Sequence, residues 1–551
     1  MSLSAPDSAS TPTAGAPGTA GSPATGIVPP WWSRAVFYQV YVRSFADSNG
    51  DGIGDLDGLR AHLDHLVDLG VDALWLNPIY RSPMADHGYD VADPRDIDPM
   101  FGGLAAFDRL IPALKERGIK LTMDLVPNHV SDQHPWFQAA LAAGPGSPER
   151  ARFHFADGLG PDGSRPPNNW PSIFGGPAWS RVPDGQWYLH LFAPEQPDLN
   201  WAHPDVVADL VETLRFWLDR GVDGFRIDVA MGMAKPAGLP DLPEPHLLEI
   251  AELGHEAPHD IRFDNDEVHA YHRIVRSVLD AYDDRMAVGE VWVSSDERRA
   301  LYVRPDELHL AFNFSLTTCP WDATDLRATI DSSLAAMAGV GAPTTWTLSN
   351  HDVSRQVTRY GGGALGMRRA RAAIVLELAL PGVVYLYNGE ELGLADVDLP
   401  DWALQDPVWE RSGHTRRGRD GCRVPLPWSG GRPPYGFAPD GATPWLPMPD
   451  GWAGLTVAAQ RTDPDSMLSL YRHALRLRRT EIDPETPLAW RDEAPAGCLA
   501  FRRGDLECWV NVSAEPVPLP AGDVVLASTP LDGPLPPDAA AWIRVGDVSR
   551  S

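Results

Sequence analysis

The run GFRIDVA (224–230) puts two charges into a stretch that is otherwise apolar. In an extended chain successive side chains alternate between faces, so Arg226 and Asp228 share one face while Phe225, Ile227 and Val229 share the other. The residues just before it, VVADLVETLRFWLDRG (206–221), repeat Val207, Leu210, Val211, Leu214, Trp217 and Leu218 at spacings of three and four and finish on Gly. That spacing predicts an amphipathic helix with a glycine stop, and a helix followed by a buried strand is the repeating unit of a parallel sheet.

Other apolar runs repeat the theme: AVFYQVYV (35–42), DALWLNP (72–78), IKLTMDLVP (119–127), MAVGEVW (286–292), HLAFNF (309–314), TTWTLSN (344–350) and GVVYLYNG (382–389). Between them lie further helix candidates such as LDGLRAHLDHLVDLG (56–70) and LAAFDRLIPALKERG (104–118). With GFRIDVA the runs number eight, which closes a (β/α)8 TIM barrel, an α/β fold. The stretch 128–203, rich in Trp, Pro and Gly, is too long for a βα loop and predicts a small inserted domain after strand three. A second long loop is expected over 231–266. After residue 484 short runs such as LAFRRG, LECWVNV and AWIRV alternate with turn residues, predicting a C-terminal antiparallel β domain, a β-sandwich over 484–551. The barrel is expected over 31–483. Residues 1–30 have neither a basic nor an apolar signal segment and read as a disordered tail.

Composition excludes several partners. The 551 residues hold 46 Lys and Arg against 75 Asp and Glu, a net charge of −29, which repels the phosphate backbone of nucleic acid. No window approaches the roughly 18 apolar residues of a membrane span. The 50 Gly and 54 Pro exceed the average share of about 12% and predict many long loops. Four cysteines in no CxxC pattern read as reduced thiols, so a cytoplasmic protein is expected, monomer or homodimer.

Parallel strands buried on both faces should be almost uninterruptedly aliphatic, and an ion without a partner costs several kcal/mol there. Yet polar groups recur at the strand ends: Asp124, Asn128 and His129 in and just after the third run, Arg226 and Asp228 in the fourth, Glu290 in the fifth, and Asn350, His351 and Asp352 at the end of the seventh and just after it. Barrel enzymes gather their functional residues at these ends. Several carboxylates with an arginine, and no obligatory metal, suit glycoside cleavage, in which one carboxylate attacks the anomeric carbon and another protonates the departing oxygen.

The blocks DLVPNH (124–129), QPDLNW (196–201), GFRIDVA (224–230), GEVW (289–292) and SNHD (349–352) occur in the order of one known family. The chain thereby resembles the α-amylase superfamily, glycoside hydrolase family 13, in its α-glucosidase and oligo-1,6-glucosidase branch, over roughly residues 31–430. The resemblance implies Asp228 as nucleophile, Glu290 as general acid/base and Asp352 as transition-state stabiliser. It implies Arg226 as the cation that holds Asp228 ionised, and His129 and His351 as ligands of sugar hydroxyls. Tyr89 in DHGYD (86–90) resembles the stacking platform for the terminal glucose, Asp86 a hydroxyl anchor, and Arg423 in RDGCRVPLPW (419–428) its charged partner. Phe192 and Gln196 match substrate-facing positions. Met231 and Met233 are candidates for the leaving-group side or for plain packing. Most of the 20 Trp are expected to pack the core and the domain contacts.

The implied activity is that of a retaining, exo-acting α-glucosidase on maltose-like oligosaccharides, with no cofactor for catalysis. In relatives Val at position 229 accompanies α-1,6 activity, but Ala230 and Met231 depart from that branch, so Val229 does not decide the linkage. Oligo-1,6-glucosidase, sucrose isomerase or transglucosylase stay open as alternatives, as does a non-catalytic carbohydrate-binding or transporter-associated barrel. Finally, DSNGDGIGD (47–55) spaces Asp47, Asn49, Asp51 and Asp55 like the start of a calcium loop, but Gly58 stands where an EF-hand needs its glutamate. The resemblance implies a structural Ca²⁺ or Mg²⁺ here, with the Ile53 carbonyl as a further ligand.

Overall fold

A computed structural model describes residues 29–243 and 260–546. All of the expected tail except its last two residues, and part of the loop 231–266, lie outside the described residues. Each of the eight apolar runs contains a strand: β1 Val36–Val40, β2 Ala73–Leu76, β3 Lys120–Leu125, β4 Gly224–Ile227, β5 Met286–Gly289, β6 Leu310–Ala311, β7 Thr345–Thr347 and β8 Val383–Tyr387. They form one parallel sheet in the order β6-β5-β4-β3-β2-β1-β8-β7. No backbone ladder joins β6 to β7 among the described residues. Side chains bridge that seam instead: Thr345 Oγ1 donates to the Ala311 carbonyl at 2.5 Å and Thr317 Oγ1 to the Thr347 carbonyl at 2.8 Å. β6 is short because Asn313 turns the chain into the helix Phe314–Thr318, its side chain accepting from the Ser315 amide.

The helix over Pro204–Asp219 buries Leu210, Leu214, Trp217 and Leu218, the face that the sequence spacing marks. Trp217 packs edge-on to Phe107 and donates its indole N–H to the Pro94 carbonyl at 2.8 Å, so its polar atom is satisfied while its ring fills the interior. The run 56–70 divides at His62 into Leu56–Ala61 and Leu63–Leu69, and Gly70, at φ 92°, ends the second in the left-handed region that glycine tolerates. Among the described residues no helix is long and apolar enough to cross a membrane.

The insertion carries a helix, Pro135–Ala143, and a three-stranded antiparallel sheet of Phe155–Asp157, Gln186–Leu189 and Trp179–Arg181. Its end returns to the barrel mouth through an antiparallel bridge of His129 with Asp198. The Leu199 amide donates to the Asn128 carbonyl at 3.0 Å and the Val130 amide to the Pro197 carbonyl at 3.2 Å.

The C-terminal region corrects the expected sandwich. Strands β9 Ala489–Trp490, β10 Cys498–Arg503, β11 Leu506–Asn511, β12 Asp523–Ala527 and β13 Ala539–Arg544 form a single antiparallel sheet in the order β9-β10-β11-β13-β12. A second sheet is not needed. One face, with Leu499, Phe501, Val510 and Trp542, joins the main core beside the helix Gly363–Ala379, where Trp542 Nε1 donates to the Val375 carbonyl at 2.9 Å. The other face, with Trp509, Ala541 and Ile543, is covered by Val517 and Leu535 of the loops.

Candidate active site

The C-terminal ends of β3, β4, β5 and β7 bring the polar blocks to one mouth. Arg226 is paired with Asp124 across β3 and with Val288 across β5, at the centre of three adjacent strands. Its Nη1 reaches Asp124 Oδ1 at 2.7 Å and Asp228 Oδ1 at 2.5 Å, and its Nη2 reaches Glu290 Oε2 at 2.9 Å. One buried guanidinium therefore serves three carboxyl groups. Burial, with the charges of Glu290 and Asp124, pushes the Asp228 carboxyl well above its usual range against the pull of Arg226. Burial likewise pushes Asp124 up to about 6, although Arg226, Trp75 and Tyr89 all donate to it. Arg226, expected to hold Asp228 ionised, is shared among three carboxyl groups.

β4 stops at Ile227, and the next turn aims the acids. The Asp228 amide donates to the Leu125 carbonyl at 2.9 Å and the Glu290 amide to Ile227 at 2.9 Å, so both acids sit one residue beyond paired strand ends. Val229 has φ 44°, a left-handed conformation that is costly for a β-branched residue. Such strain is retained where function needs it; here the turned Val229 amide donates to Glu290 Oε2 at 2.9 Å. Trp292, stacked on Phe314 with ring centroids 3.7 Å apart, donates its indole N–H to the other oxygen, Oε1, at 3.0 Å.

Asp352 lies opposite, with Oδ1 on Arg419 Nη1 and Arg423 Nη2, both at 3.0 Å. Burial acts to raise this carboxyl, but His351, Arg419 and Arg423 overcome it and hold Asp352 below the usual range. Arg419 Nη2 also reaches Asp86 Oδ1 at 2.8 Å, and its Nε reaches Asp406 Oδ2 at 2.6 Å. The charged partner of Asp86 is therefore Arg419. Arg423, the expected partner, instead holds Asp352 and donates to the His351 carbonyl at 2.8 Å. The two arginines flank the short turn Asp420–Cys422, which sends their side chains to different acids. Burial pushes Asp86 up to about 6 despite Arg419.

Tyr89 closes this end, stacked on His351 at 5.5 Å with an interplanar angle of 9°; its hydroxyl meets His351 Nε2 at 2.7 Å and Asn77 Nδ2 at 2.8 Å. His129 and Phe192 form a side wall, 5.2 Å between ring centroids. Burial lowers His129 to about 4, which leaves a neutral imidazole with one donor and one acceptor. Phe174 and Met231 complete a small cleft with Asp86, Tyr89, Asp228, Val229, Glu290, Trp292, Asp352 and Arg419.

Four expected ligands stand behind this lining. Gln196, fully buried, donates toward Asp86 Oδ2 at 3.2 Å and meets His129 Nε2 at 3.1 Å. Arg226, His351 and Arg423 likewise hold lining residues without reaching the cavity, and Met233 packs in the core. Three lining residues escaped the sequence reading. Arg419 begins RDGCRVPLPW and Trp292 ends GEVW, where an acid-rich site asks for a cation and a donor. Phe174 sits in the aperiodic insertion, where no signal marks it.

The expected cation loop is not assembled as a ligand set. Asp47 accepts the amides of Asn49, Gly50 and Gly52, and Asp55 accepts the Ser48 and Gly58 amides and the Ser48 hydroxyl. Asn49 and Asp51 accept the amides of Asp51 and Ile53. Among the described residues no three His, Cys, Asp or Glu side chains gather to hold a metal ion. The carboxylates are turned onto the loop's own backbone, where they shape turns and cap the helix that follows.

Residues 39–483 match the α-amylase catalytic domain family, and residues 488–542 a domain of unknown function. A probable α-glucosidase of Rhizobium meliloti (strain 1021) is 40% identical over 470 residues, 82% of each chain. An oligo-1,6-glucosidase of Parageobacillus thermoglucosidasius is 36% identical over 485 residues, 82% of this chain and 84% of that one. Among solved structures, the α-glucosyl transfer enzyme XgtA superposes with a TM-score of 0.84 at 37% identity, covering 94% of this chain and all of that one. The trehalulose synthase MutB of Pseudomonas mesoacidophila MX-45 gives a TM-score of 0.82 at 33% identity over the same shares. With the family matched over most of its length, and with relatives named α-glucosidase and oligo-1,6-glucosidase, the chain belongs to the α-amylase family and is a glycoside hydrolase.

Proposed function

We propose that the protein is a retaining, exo-acting α-glucosidase that removes terminal α-linked glucose from maltose-like oligosaccharides. The observation that carries this is the pair Asp228 and Glu290, held on one guanidinium and both lining the cleft at the barrel mouth. Two acids on one fork are closely set. That favours the retaining arrangement, whose carboxyls stand about 5–5.5 Å apart, over the inverting one at about 6.5–9.5 Å.

In this mechanism the terminal glucose enters with its far hydroxyls toward Asp86, His129 and Asp352. Asp228 attacks the anomeric carbon while Glu290 gives a proton to the departing oxygen, leaving a covalent glucosyl–Asp228 ester. Glu290, now the base, takes a proton from water as the water attacks the same carbon and releases Asp228. Asp352, held ionised by Arg419 and Arg423, faces the positive charge that develops on the ring. Arg419 with Asp86 closes the pocket beyond the terminal sugar, which supports exo action.

Purified protein given maltose, isomaltose, sucrose and trehalose is expected to release free glucose fastest from maltose. Isomaltose as the preferred substrate would replace this reading with oligo-1,6-glucosidase. Rearranged disaccharide from sucrose, with little free glucose, would replace it with an isomerase.

A further inference from the structure

The helix Val268–Leu279 packs behind the turn that follows β4, and its buried stripe of Val268, His272, Val275 and Leu279 sets an imidazole among three apolar side chains. The ring is fully buried, and its Nε2 meets the Ala230 carbonyl at 2.9 Å. A carbonyl only accepts, so Nε2 carries the ring proton. Nδ1 has no hydrogen-bond partner among the described residues. Burial lowers His272 to about 4 against the pull of the Ala230 carbonyl and Glu307, which leaves the ring neutral. Glu307 is itself held by His269, Arg273 and Arg304, and the Tyr302 ring stands 5.4 Å from that of His272. A buried nitrogen without a partner is destabilising, so packing alone would favour an apolar side chain at this place. What the imidazole adds is a donor to one carbonyl.

That carbonyl lies at the exit of the strained turn. The Ala230 amide donates to the Glu290 carbonyl at 3.1 Å, so Ala230 is gripped at both its amide and its carbonyl. One residue earlier, Val229 is held at φ 44° with its amide on Glu290 Oε2 at 2.9 Å. A left-handed β-branched residue persists only where its surroundings over-determine it. The Gly232 amide closes the turn on the Val229 carbonyl at 2.8 Å, and His272 adds a side-chain bond from the helix. We propose that His272 is a positioning residue: its bond to Ala230 holds the turn, the turn holds the Val229 amide on Glu290, and the orientation of the acid/base carboxyl follows. The inference rests on the acid/base role proposed for Glu290 above. The Arg226 guanidinium and the Trp292 indole hold the same carboxyl from outside the turn, so its loss leaves Glu290 in place but free to tilt.

Maltose needs a proton on its departing oxygen, whereas α-glucosyl fluoride releases fluoride with little such help. The test compares kcat/KM on these two substrates in the parent, His272→Leu, His272→Asn and His272→Gln, with Glu290→Gln as reference. The ratio of the two values within one preparation is independent of the folded fraction. Leu offers no donor, Asn carries its amide at the place of Nδ1, and Gln carries its amide near Nε2. The Leu and Asn variants should lose about tenfold on maltose while staying within about twofold on the fluoride, and the Gln variant should recover most of the loss. Glu290→Gln should show the same split, with about 10²-fold or more lost on maltose. Unsplit values in the Leu and Asn variants, lowered or unchanged, would make His272 a packing residue and overturn the proposal. So would a Gln variant no better than the Asn variant. An unsplit loss in Glu290→Gln, or a parent that releases no glucose from either substrate, would remove the acid/base reading and the positioning role with it.

Discussion

Replacing Asp228 by Asn is expected to abolish turnover, by at least about 10⁴-fold in kcat, while leaving a folded protein. The amide keeps the shape of the carboxyl and cannot form the glucosyl ester. Stability should hold or rise. Asp228 shares one guanidinium with Asp124 and Glu290, and burial among these like charges pushes its carboxyl well up. Removing one acid relieves that crowding, so the thermal midpoint should equal or exceed the parent's. Residual glucose release within about tenfold of the parent would assign the nucleophile elsewhere.

Arg226→Met should do the opposite to stability. The guanidinium is fully buried and makes three carboxylate contacts, so its loss leaves three acids without their cation. Removing one partner of a buried ion pair costs about 3–5 kcal/mol, far above the 0–1 kcal/mol of surface pairs. The deficit has a definite pH dependence. Without the cation the folded-state pKa values of Asp124 and Asp228 rise further, and a raised acid gives stability at low pH that is lost as pH rises through the folded value. Urea unfolding should therefore show a larger loss at pH 8 than at pH 5. A deficit that is equal at both pH values would mean that the three acids are not sharing this cation.

The positions of the barrel strands were legible because strands buried on both faces must be apolar, and the acids of the candidate site stood out because they break that rule. Val229 is different: its alternation pattern continues the strand, but the chain leaves the strand at Ile227 and turns left-handed at Val229. Nor does sequence spacing say which of Arg419 and Arg423 reaches Asp86, since a three-residue 3₁₀ turn decides it. Gln196 looks like a ligand from its motif, yet it is spent on Asp86 and His129 behind the lining. In the C-terminal region the strand pattern was readable but its packing partner was not. One face of the sheet is covered by a barrel helix, a contact between residues far apart in the chain.

The covalent path through Asp228 is read out by the anomeric configuration of the first-formed glucose. Proton NMR during the first minutes of hydrolysis of an aryl α-glucoside, whose only released sugar is the terminal glucose, should show the α anomer appearing first, with the β anomer growing only later by mutarotation. Glucose released initially as the β anomer would contradict double displacement and the roles given to Asp228 and Glu290.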